Sequence, residues 1–247
     1  MTVTELASTR TGRAPGRLSQ VLVRLLMRRA RVVSTETLAE RFSLVTLEGP
    51  ELAGAAWAPG QKIQVAMGSA FVARTYTPMS WEASGRTRIL GYAHGEGPGA
   101  DWLRSLEPGV ECDVFGPRAS LDVEGLTGPL AVFGDETSMG LAYALAMQDP
   151  ARSVACAFEV TDLDAAAQVA DRLGLSRAAL FRKRADDAHL ETMTDALASL
   201  SGLGASFVLT GRAGAIQRIR NGLKARGVAP RRLLAKAYWA PGKTGLD

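Results

Sequence analysis

The 247-residue sequence has few of the residues that cross-link a chain or bind metals. It contains two cysteines, Cys112 and Cys156, and two histidines, His94 and His189. Two cysteines exclude a disulfide framework, a four-cysteine zinc site and an iron–sulfur cluster, and two histidines leave little for a histidine-rich metal site. We therefore expect no metal held by the protein itself.

Long apolar runs are also missing. No stretch approaches the roughly 18 uninterrupted apolar residues of a membrane span, and no N-terminal segment resembles a secretory signal. The sequence therefore predicts a cytoplasmic protein with no integral membrane segment. Its 47% hydrophobic and 22% charged residues are typical of a folded globular chain and exclude wholesale disorder.

Positive charge is concentrated at the N-terminus. Residues 1–31 contain seven arginines and one acidic residue, Glu5, whereas the rest of the chain is slightly acidic. This distribution argues against nucleic-acid binding, which needs a basic face on the folded part. Residues 1–30 are interpreted as a basic arm with a short helix over Leu18–Arg29, which either packs on the body or anchors on a membrane surface.

The rest of the chain has two patterns, which predict a two-domain fold. Residues 31–127 contain six short β-type runs and one helix, typical of an antiparallel six-stranded β-barrel. Residues 128–247 alternate strands and helices, typical of an α/β nucleotide-binding-type domain with a parallel sheet. The predicted barrel elements are Arg31–Thr35, Phe42–Leu47, Lys62–Met67, Val72–Pro78, Thr87–Tyr92 and Val110–Phe115 with a helix at Gly99–Leu106, followed by α/β strands at Leu130–Phe133, Ser153–Val160, Ala178–Arg182, Ser206–Thr210 and Leu233–Trp239 and helices near Thr137–Met147, Asp164–Leu173, Ala188–Leu200 and Ala213–Arg226.

The strand at Val72–Thr77 carries the most informative motif, Arg-Thr-Tyr-Thr at residues 74–77. Strand alternation places Arg74 and Tyr76 on one face. An arginine fork suits a phosphate and a tyrosine ring can stack on a flat heterocycle, a combination that suits a flavin nucleotide. The alternative is an ordinary edge strand.

A second motif lies about twenty residues further on, at His94–Trp102. Here a strand ends in a glycine-rich turn and a helix begins. Glycines let the backbone approach a ligand closely, and the free amides of a helix N-terminus face anions. The alternative is a plain loop with a proline at the helix start.

With these motifs the sequence resembles the siderophore-interacting protein family, flavoprotein ferric-siderophore reductases built like ferredoxin–NADP reductase. The resemblance covers most of the chain from Arg31 onward. It implies FAD held between the barrel and the α/β domain, NADPH or NADH as electron donor, and Fe(III) in a siderophore as acceptor. The matching segments, in the family's order, are Arg74–Thr77, His94–Trp102, Phe115–Arg118, Gly134–Thr137 and Ala237–Trp239.

The resemblance also implies roles for single residues. Arg74 would bind the FAD pyrophosphate, Tyr76 would pack on the isoalloxazine and Thr77 would lie near the flavin N5. The amides of the glycine turn would complete a phosphate cradle, with His94 close by, whereas Trp102 is expected in the core. The FAD-binding candidates are Arg74, Thr75, Tyr76, Thr77, His94, Gly97, Gly99 and Ala100.

The nicotinamide site departs from the pattern of the wider superfamily. The loop after the first α/β strand carries Asp135 and Glu136, which would repel a pyrophosphate unless they serve the start of the following helix. Arg212 follows the fourth α/β strand and either meets a phosphate or is solvated. The run Arg182–Arg184 either reads the 2′-phosphate of NADP or is a solvated charge run. The nicotinamide candidates are Gly134, Asp135, Glu136, Thr137, Gly211 and Arg212.

For an anionic ferric siderophore we expect a basic pocket near the flavin. The family's ending Tyr-Trp-Arg-Arg-Gly is replaced here by Tyr-Trp-Ala-Pro-Gly-Lys at residues 238–243, so two arginines are missing. Tyr238 or Trp239 either covers the flavin face or packs in the core. The substrate-binding candidates are Lys62, Arg118, Lys236 and Lys243.

The sequence thus predicts a monomeric FAD-dependent NAD(P)H oxidoreductase of the ferric-siderophore reductase type. Two alternatives stay open. One is a flavin-linked electron-transfer reductase that serves a protein such as an oxygenase or ferredoxin, with the arginine-rich arm as a docking element. The other is a flavin or iron-chelate binding module without turnover.

Overall fold

The computed structural model describes residues 26–69 and 72–243, whose strands form two sheets. Within this part of the chain the first sheet is antiparallel and has seven strands. Helix α1 (Pro98–Ser105) precedes the last of them. The strands are β1 (Arg28–Ala39), β2 (Phe42–Glu48), β3 (Lys62–Ser69), β4 (Val72–Tyr76), β5 (Pro78–Trp81), β6 (Arg86–Tyr92) and β7 (Glu111–Arg118).

The seven-stranded sheet curls back on itself like a barrel. Its order is β4-β3-β7-β1-β2-β6-β5, so β4 and β5 form the two edges, yet only Thr77 separates them in the chain. The sequence predicts one strand at Val72–Pro78, and the structure divides it. Pairing changes from β3 to β6 at this point, where Pro78 lacks an N–H for a continued ladder. The predicted antiparallel barrel is confirmed, with seven described strands instead of six.

The start of β1 corrects the predicted N-terminal helix. Most of that helix, Leu18–Arg29, lies outside the described residues, but its last two residues belong to a strand. Arg28 and Arg29 pair antiparallel with Val114 and Asp113 of β7, and the Arg29 N–H donates to Glu51 Oε2 at 2.9 Å. The pairing with β7 and the bond to the Glu51 side chain hold the segment extended.

The second sheet is parallel, with five described strands in the order β10-β9-β8-β11-β12. Because β8 lies between β9 and β11, the chain winds outward from β8 in both directions, and a ligand crevice is expected at the carboxyl ends of these strands. The predicted α/β alternation is confirmed. The elements are β8 (Leu130–Asp135), α2 (Met139–Gln148), β9 (Val154–Val160), α3 (Leu163–Arg172), β10 (Ala179–Arg182), α4 (His189–Ser199), β11 (Ser206–Arg212), α5 (Ala213–Ala225) and β12 (Leu233–Trp239).

Helices cover both faces of the parallel sheet. On one face, Leu141 of α2 and Ala166 of α3 belong to the same buried cluster as Val132. On the other, Leu190 of α4 and Ile219 of α5 pack with Phe133. The alternation of Val132 and Phe133 between the two clusters follows from the two-residue period of a strand. None of the helices in residues 26–69 and 72–243 is long and apolar enough to cross a membrane.

One apolar cluster joins the two domains. Phe42, Met79 and Leu90 of the barrel are buried together with Met139 and Leu141 of α2. A shared core of this kind fixes the barrel against the α/β domain, so residues on their facing edges keep a defined geometry. The predicted domain boundary at residues 127 and 128 falls between β7 and β8.

Candidate functional site

A cavity of about 440 Å³ lies between the barrel and the α/β domain. Its size is in the range of small-molecule sites, and polar groups from both domains converge on it. The barrel contributes β4 and the turn into α1, and the α/β domain contributes the end of β12. Each predicted FAD residue lines this cavity; their role in binding FAD stays a prediction. They are Arg74, Thr75, Tyr76, Thr77, His94, Gly97, Gly99 and Ala100.

The N-terminus of α1 and the Arg74 side chain form a cradle at one end of the cavity. Gly97, the N-cap, has φ 130°, a conformation that favours glycine, and it has no side chain to cap the helix. A Cβ on Gly99 would lie 3.0 Å from Arg74 Cγ, so the absence of a side chain lets the arginine cross the first turn. The first backbone hydrogen bond of the helix runs from the Asp101 N–H to the Gly97 carbonyl. The N–H groups of Gly99 and Ala100 precede it in the first turn, where backbone N–H groups have no acceptor within the helix. A cation beside such amides suits a phosphate.

The next residues of the same strand lead from the cradle to the opposite domain. Tyr76 packs on the barrel core, its ring centroid 5.7 Å from that of Trp102, and burial raises its pKa. Trp102 is thus partly buried against the core, as predicted. Thr77 Oγ1 donates to the hydroxyl of Tyr238 at 3.2 Å. Burial raises the pKa of Tyr238 to about 12, so its hydroxyl keeps its proton and can itself donate.

Trp239 connects the barrel to the acidic loop of the α/β domain. Its ring stacks on His94, with centroids 5.6 Å apart and planes at 22°. Its Nε1–H donates to Asp135 Oδ2 at 2.7 Å. Both Tyr238 and Trp239 line the cavity. Each residue packs between the domains and also forms part of the cavity wall, so the structure combines the core-packing interpretation with a place beside the predicted flavin site.

Both carboxylates of the acidic loop are used inside the α/β domain. Asp135 accepts from the Thr137 N–H at 2.9 Å, in addition to Trp239, and it forms a capping box with Ser138. Glu136 accepts from Lys183 Nζ at 2.5 Å and from the Thr161 N–H at 2.6 Å. The structure therefore favours the helix-start alternative for Asp135, which caps the short turn Glu136–Ser138 that leads into α2, whereas Glu136 pairs with Lys183 and with Thr161 after β9.

Glycines make the acidic loop possible. A Cβ on Gly134 would lie 2.2 Å from Ser138 Cβ, and a Cβ on Gly211 would lie 2.7 Å from Asp135 Cγ. Gly211 also has φ 99°, which favours glycine. The two glycines thus act by admitting buried side chains, and their predicted contact with a nicotinamide nucleotide stays a prediction.

The geometry of Arg212 disagrees with its predicted role as a phosphate ligand. Its Nε and Nη2 donate to the two oxygens of Glu159 at 3.1 and 3.2 Å, and Nη2 also donates to Asp187 Oδ1 at 2.6 Å. Glu159 is fully buried and is held on its other side by His189 Nε2 at 2.8 Å. The guanidinium is thus occupied by the buried carboxylate of Glu159 and the partly exposed carboxylate of Asp187, two pairings that sequence reasoning missed. The sequence feature that could have indicated this pairing is Glu159, a single glutamate inside the apolar strand Val154–Val160.

Lys183, the central residue of the run Arg182–Arg184, fits neither the contact with a 2′-phosphate nor the solvated charge run that the sequence suggested. Lys183 is largely buried in its pair with Glu136, and the nearby charges of Asp135 and Glu136 raise the lysine pKa against the effect of burial, which lowers it. Arg184 pairs with Asp186 at 3.3 Å on the exposed side. The predicted contact with a 2′-phosphate is therefore not supported at Lys183, because this cation already serves the acidic loop.

Three of the four substrate candidates line the cavity: Lys62, Lys236 and Lys243. Arg118 is not among the lining residues. Its Nη2 donates to Gln64 Oε1 at 2.7 Å, and Gln64 does line the cavity, although it was not predicted. The structure thus brings Lys62 of β3 to the same cavity as Lys236 and Lys243 near the end of the described chain, and this positive charge suits an anionic ligand.

Asp135 provides a test of the buried acidic loop through pH. Burial raises the pKa of Asp135 above its ordinary value of 3.8, so ionisation of this side chain costs folding stability as the pH rises through the raised pKa. Asp135→Asn keeps an acceptor for Trp239 but turns its amide N–H toward the Thr137 N–H, so we expect it to be less stable than the wild type at acidic pH and to narrow this gap as the pH rises to 8. Thermal unfolding across this range measures the difference.

The matched control is Asp113→Asn, an exposed carboxylate on β7. Its stability relative to the wild type should not change with pH. A gap between the wild type and Asp135→Asn that widens toward pH 8 would mean that the charged carboxylate stabilises the loop.

Comparison with known proteins places the fold. No family model matches the sequence, and no curated protein matches it. Among solved structures, the siderophore-interacting protein SipS from Aeromonas hydrophila aligns with a TM-score of 0.69 and 20% identity over 88% of this chain and 93% of that one. A siderophore utilization protein from T. fusca aligns with a TM-score of 0.64 and 24% identity over 90% and 95%.

The chain has the two-domain fold of the siderophore-interacting proteins. The same fold occurs in the flavohem-like FAD/NAD-binding domain of a nitric oxide dioxygenase from Vibrio cholerae, with a TM-score of 0.66 and 17% identity over 87% of this chain and 99% of that domain. The barrel with a following α/β domain, predicted from the sequence, is thereby confirmed as an architecture of solved proteins.

Proposed function

We propose that the protein is an FAD-dependent reductase that takes electrons from NADPH or NADH and passes them to Fe(III) in a siderophore, releasing Fe(II). One observation carries the proposal. Two motifs separated by about twenty residues converge on a single cavity, in which a cation and a helix N-terminus form an anion cradle at one end and three lysines lie along the walls. Two solved proteins of this fold carry siderophore names, which supports this class of acceptor.

The residues present fit FAD. Arg74 and the Gly99 and Ala100 amides would hold its pyrophosphate, and the space for this exists because Gly97 and Gly99 lack side chains. Tyr76 would contact its ring system, and Thr77 with Tyr238 would offer hydroxyl hydrogen bonds. When bound, FAD supplies the exchange between a two-electron donor and one-electron iron chemistry.

The chain itself supplies binding, orientation and charge. Lys62, Lys236 and Lys243 would attract an anionic ferric chelate to the same cavity. The shared apolar core holds the two walls at a fixed distance. Electron transfer to iron requires no protein acid or base at the metal, so the proposal assigns no such role to Glu96 or His94, which also line the cavity.

A reductase for a protein partner is the second candidate, because the same fold serves as the FAD/NAD-binding domain of a nitric oxide dioxygenase. The binding-module alternative has lost its main support. It depended on repulsion by Asp135 and Glu136, and Glu136 is neutralised by Lys183 while Asp135 is buried under Trp239.

The deciding experiment compares acceptors. Protein loaded with FAD and reduced with NADPH without oxygen is mixed with ferrioxamine, a ferric catecholate chelate or an oxidised ferredoxin, in the presence of an Fe(II)-trapping dye. We expect the chelates to give trapped Fe(II) in step with flavin reoxidation. Reoxidation by ferredoxin alone would favour the protein-partner reductase, and a flavin that NADPH leaves oxidised would favour the binding module.

A further inference from the structure

A second, smaller pocket lies beside the main cavity. It has a volume of about 230 Å³ and lies where the β1–β2 turn meets the carboxyl ends of the parallel strands. Arg41, Thr161 and Lys183 line it, and it shares His94 and Trp239 with the main cavity. We call it the Arg41 pocket. Because the stacked rings of His94 and Trp239 are its common wall, one elongated ligand can reach both spaces.

Arg41 occupies a backbone position that favours glycine. It is the second residue of the two-residue turn between β1 and β2, and its φ is 68°. The Ala93 N–H donates to the Arg41 carbonyl at 2.8 Å, which ties the turn to the chain just after β6. A glycine would fit this backbone conformation better. The conformation of the turn therefore does not account for arginine at this position, and a role of its side chain does.

The charge of the Arg41 pocket is held by one loosely paired guanidinium. The Arg41 side chain is 51% exposed, and its Nε lies 3.6 Å from Oε1 of Glu40, which is 79% exposed. Such a pair interacts weakly in water. Lys183, by contrast, is paired closely with Glu136. The Glu136 carboxylate, paired with Lys183, and the side chains of Tyr92, Thr137 and Thr161 also line the pocket, and the Thr137 hydroxyl donates to Asp135 Oδ1. A guanidinium fork among hydroxyls suits phosphate oxygens.

We propose that the Arg41 pocket binds a phosphate group of the nicotinamide dinucleotide donor. This inference rests on the proposed function, which requires such a donor. The pocket is smaller than the range typical of whole-ligand sites, so it fits a phosphate with part of its ribose and not a complete dinucleotide. The loop after β8 carries two carboxylates that already have partners, and Arg212 is held by Glu159. The cation that contacts the donor's phosphate is therefore Arg41 of the barrel.

The test measures binding directly, by calorimetric titration of the FAD-loaded protein, its flavin already reduced with dithionite and oxygen excluded, with inorganic pyrophosphate and with NADPH at one fixed low ionic strength. Arg41→Gly should raise both dissociation constants at least about tenfold, a change of about 1.4 kcal/mol. Its thermal midpoint should stay the same or rise, because glycine fits the turn. Arg41→Lys should lie between, and Glu40→Gln should tighten binding by removing the opposing charge.

The control is Arg86→Gln, which removes an exposed arginine of β6 that pairs with Glu48, outside both cavities. An equal loss in this variant would reduce the effect to general charge and overturn the proposal. Unchanged NADPH affinity in Arg41→Gly would also overturn it. Weaker binding of pyrophosphate alone would assign the pocket to free inorganic phosphate and not to the donor.

Failure of the proposed function gives a different result from failure of the Arg41 pocket. A wild type that retains no FAD, or that NADPH does not reduce, contradicts the reductase. A wild type that is reduced normally, with Arg41→Gly binding NADPH equally well, contradicts only the pocket.

Discussion

Arg74→Ala should lose FAD on dilution while the protein stays folded. The side chain is the one cation of the predicted phosphate cradle, and a charge-assisted hydrogen bond contributes about 1.5–3 kcal/mol, or roughly 10- to 150-fold in affinity. Arg74 lies on the cavity wall, and within the described residues its Nη1 donates to the carbonyl of the adjacent Ala73 at 2.9 Å and to no distant part of the barrel, so its removal disturbs little of the fold.

The measurement is a flavin fluorescence titration of the variant and the wild type, with circular dichroism to confirm the fold. Arg74→Lys separates charge from geometry, because it keeps the charge and loses the two-pronged contact. Gly99→Val is a second probe from the opposite side of the cradle, since its side chain would crowd Arg74. Unchanged retention of FAD in Arg74→Ala would move the phosphate site elsewhere in the protein.

Arg212→Ala should lower the free energy of unfolding by about 3–5 kcal/mol, the usual cost of removing one partner of a buried ion pair. Glu159 is fully buried, and Arg212 donates to both of its oxygens, so the variant leaves His189 as the one hydrogen-bonding side chain on this carboxylate within residues 26–69 and 72–243. Because the arginine is internal, NADPH affinity of the folded fraction should not change.

Chemical denaturation measures this loss, and Arg218→Ala is its matched control. Arg218 is 54% exposed and lies 3.6 Å from the same Asp187, so its removal should cost less than about 1 kcal/mol. If Arg212→Ala kept its stability but bound NADPH much more weakly, Arg212 would be the nucleotide ligand that the sequence alone suggested.

The parts of the fold that the sequence predicts well are those with a local pattern. The five parallel strands are apolar runs with helical segments between them, and each was found within a few residues of its predicted position. The division between β4 and β5 was missed because Arg74–Pro78 forms one extended run in sequence. Only the pairing with two different strands separates its halves.

In the candidate site, too, the residues with a local sequence pattern were predictable and those with distant partners were not. The FAD candidates were predictable because two short motifs each keep their chemistry within a few residues. The partners of Arg212 were not, since Glu159 and Asp187 lie 53 and 25 residues away and meet it only after the sheet has formed. Arg41 gave no signal in sequence either, because its left-handed backbone and its place beside Trp239 are properties of the folded chain.

The most direct test of the central claim is the visible absorption spectrum of the freshly purified protein, followed by addition of NADPH without oxygen. The account predicts flavin bands that bleach with NADPH, or that appear after incubation with FAD and then bleach. A colourless protein that cannot be loaded with FAD would contradict the claim that the cavity between the two domains is a flavin site.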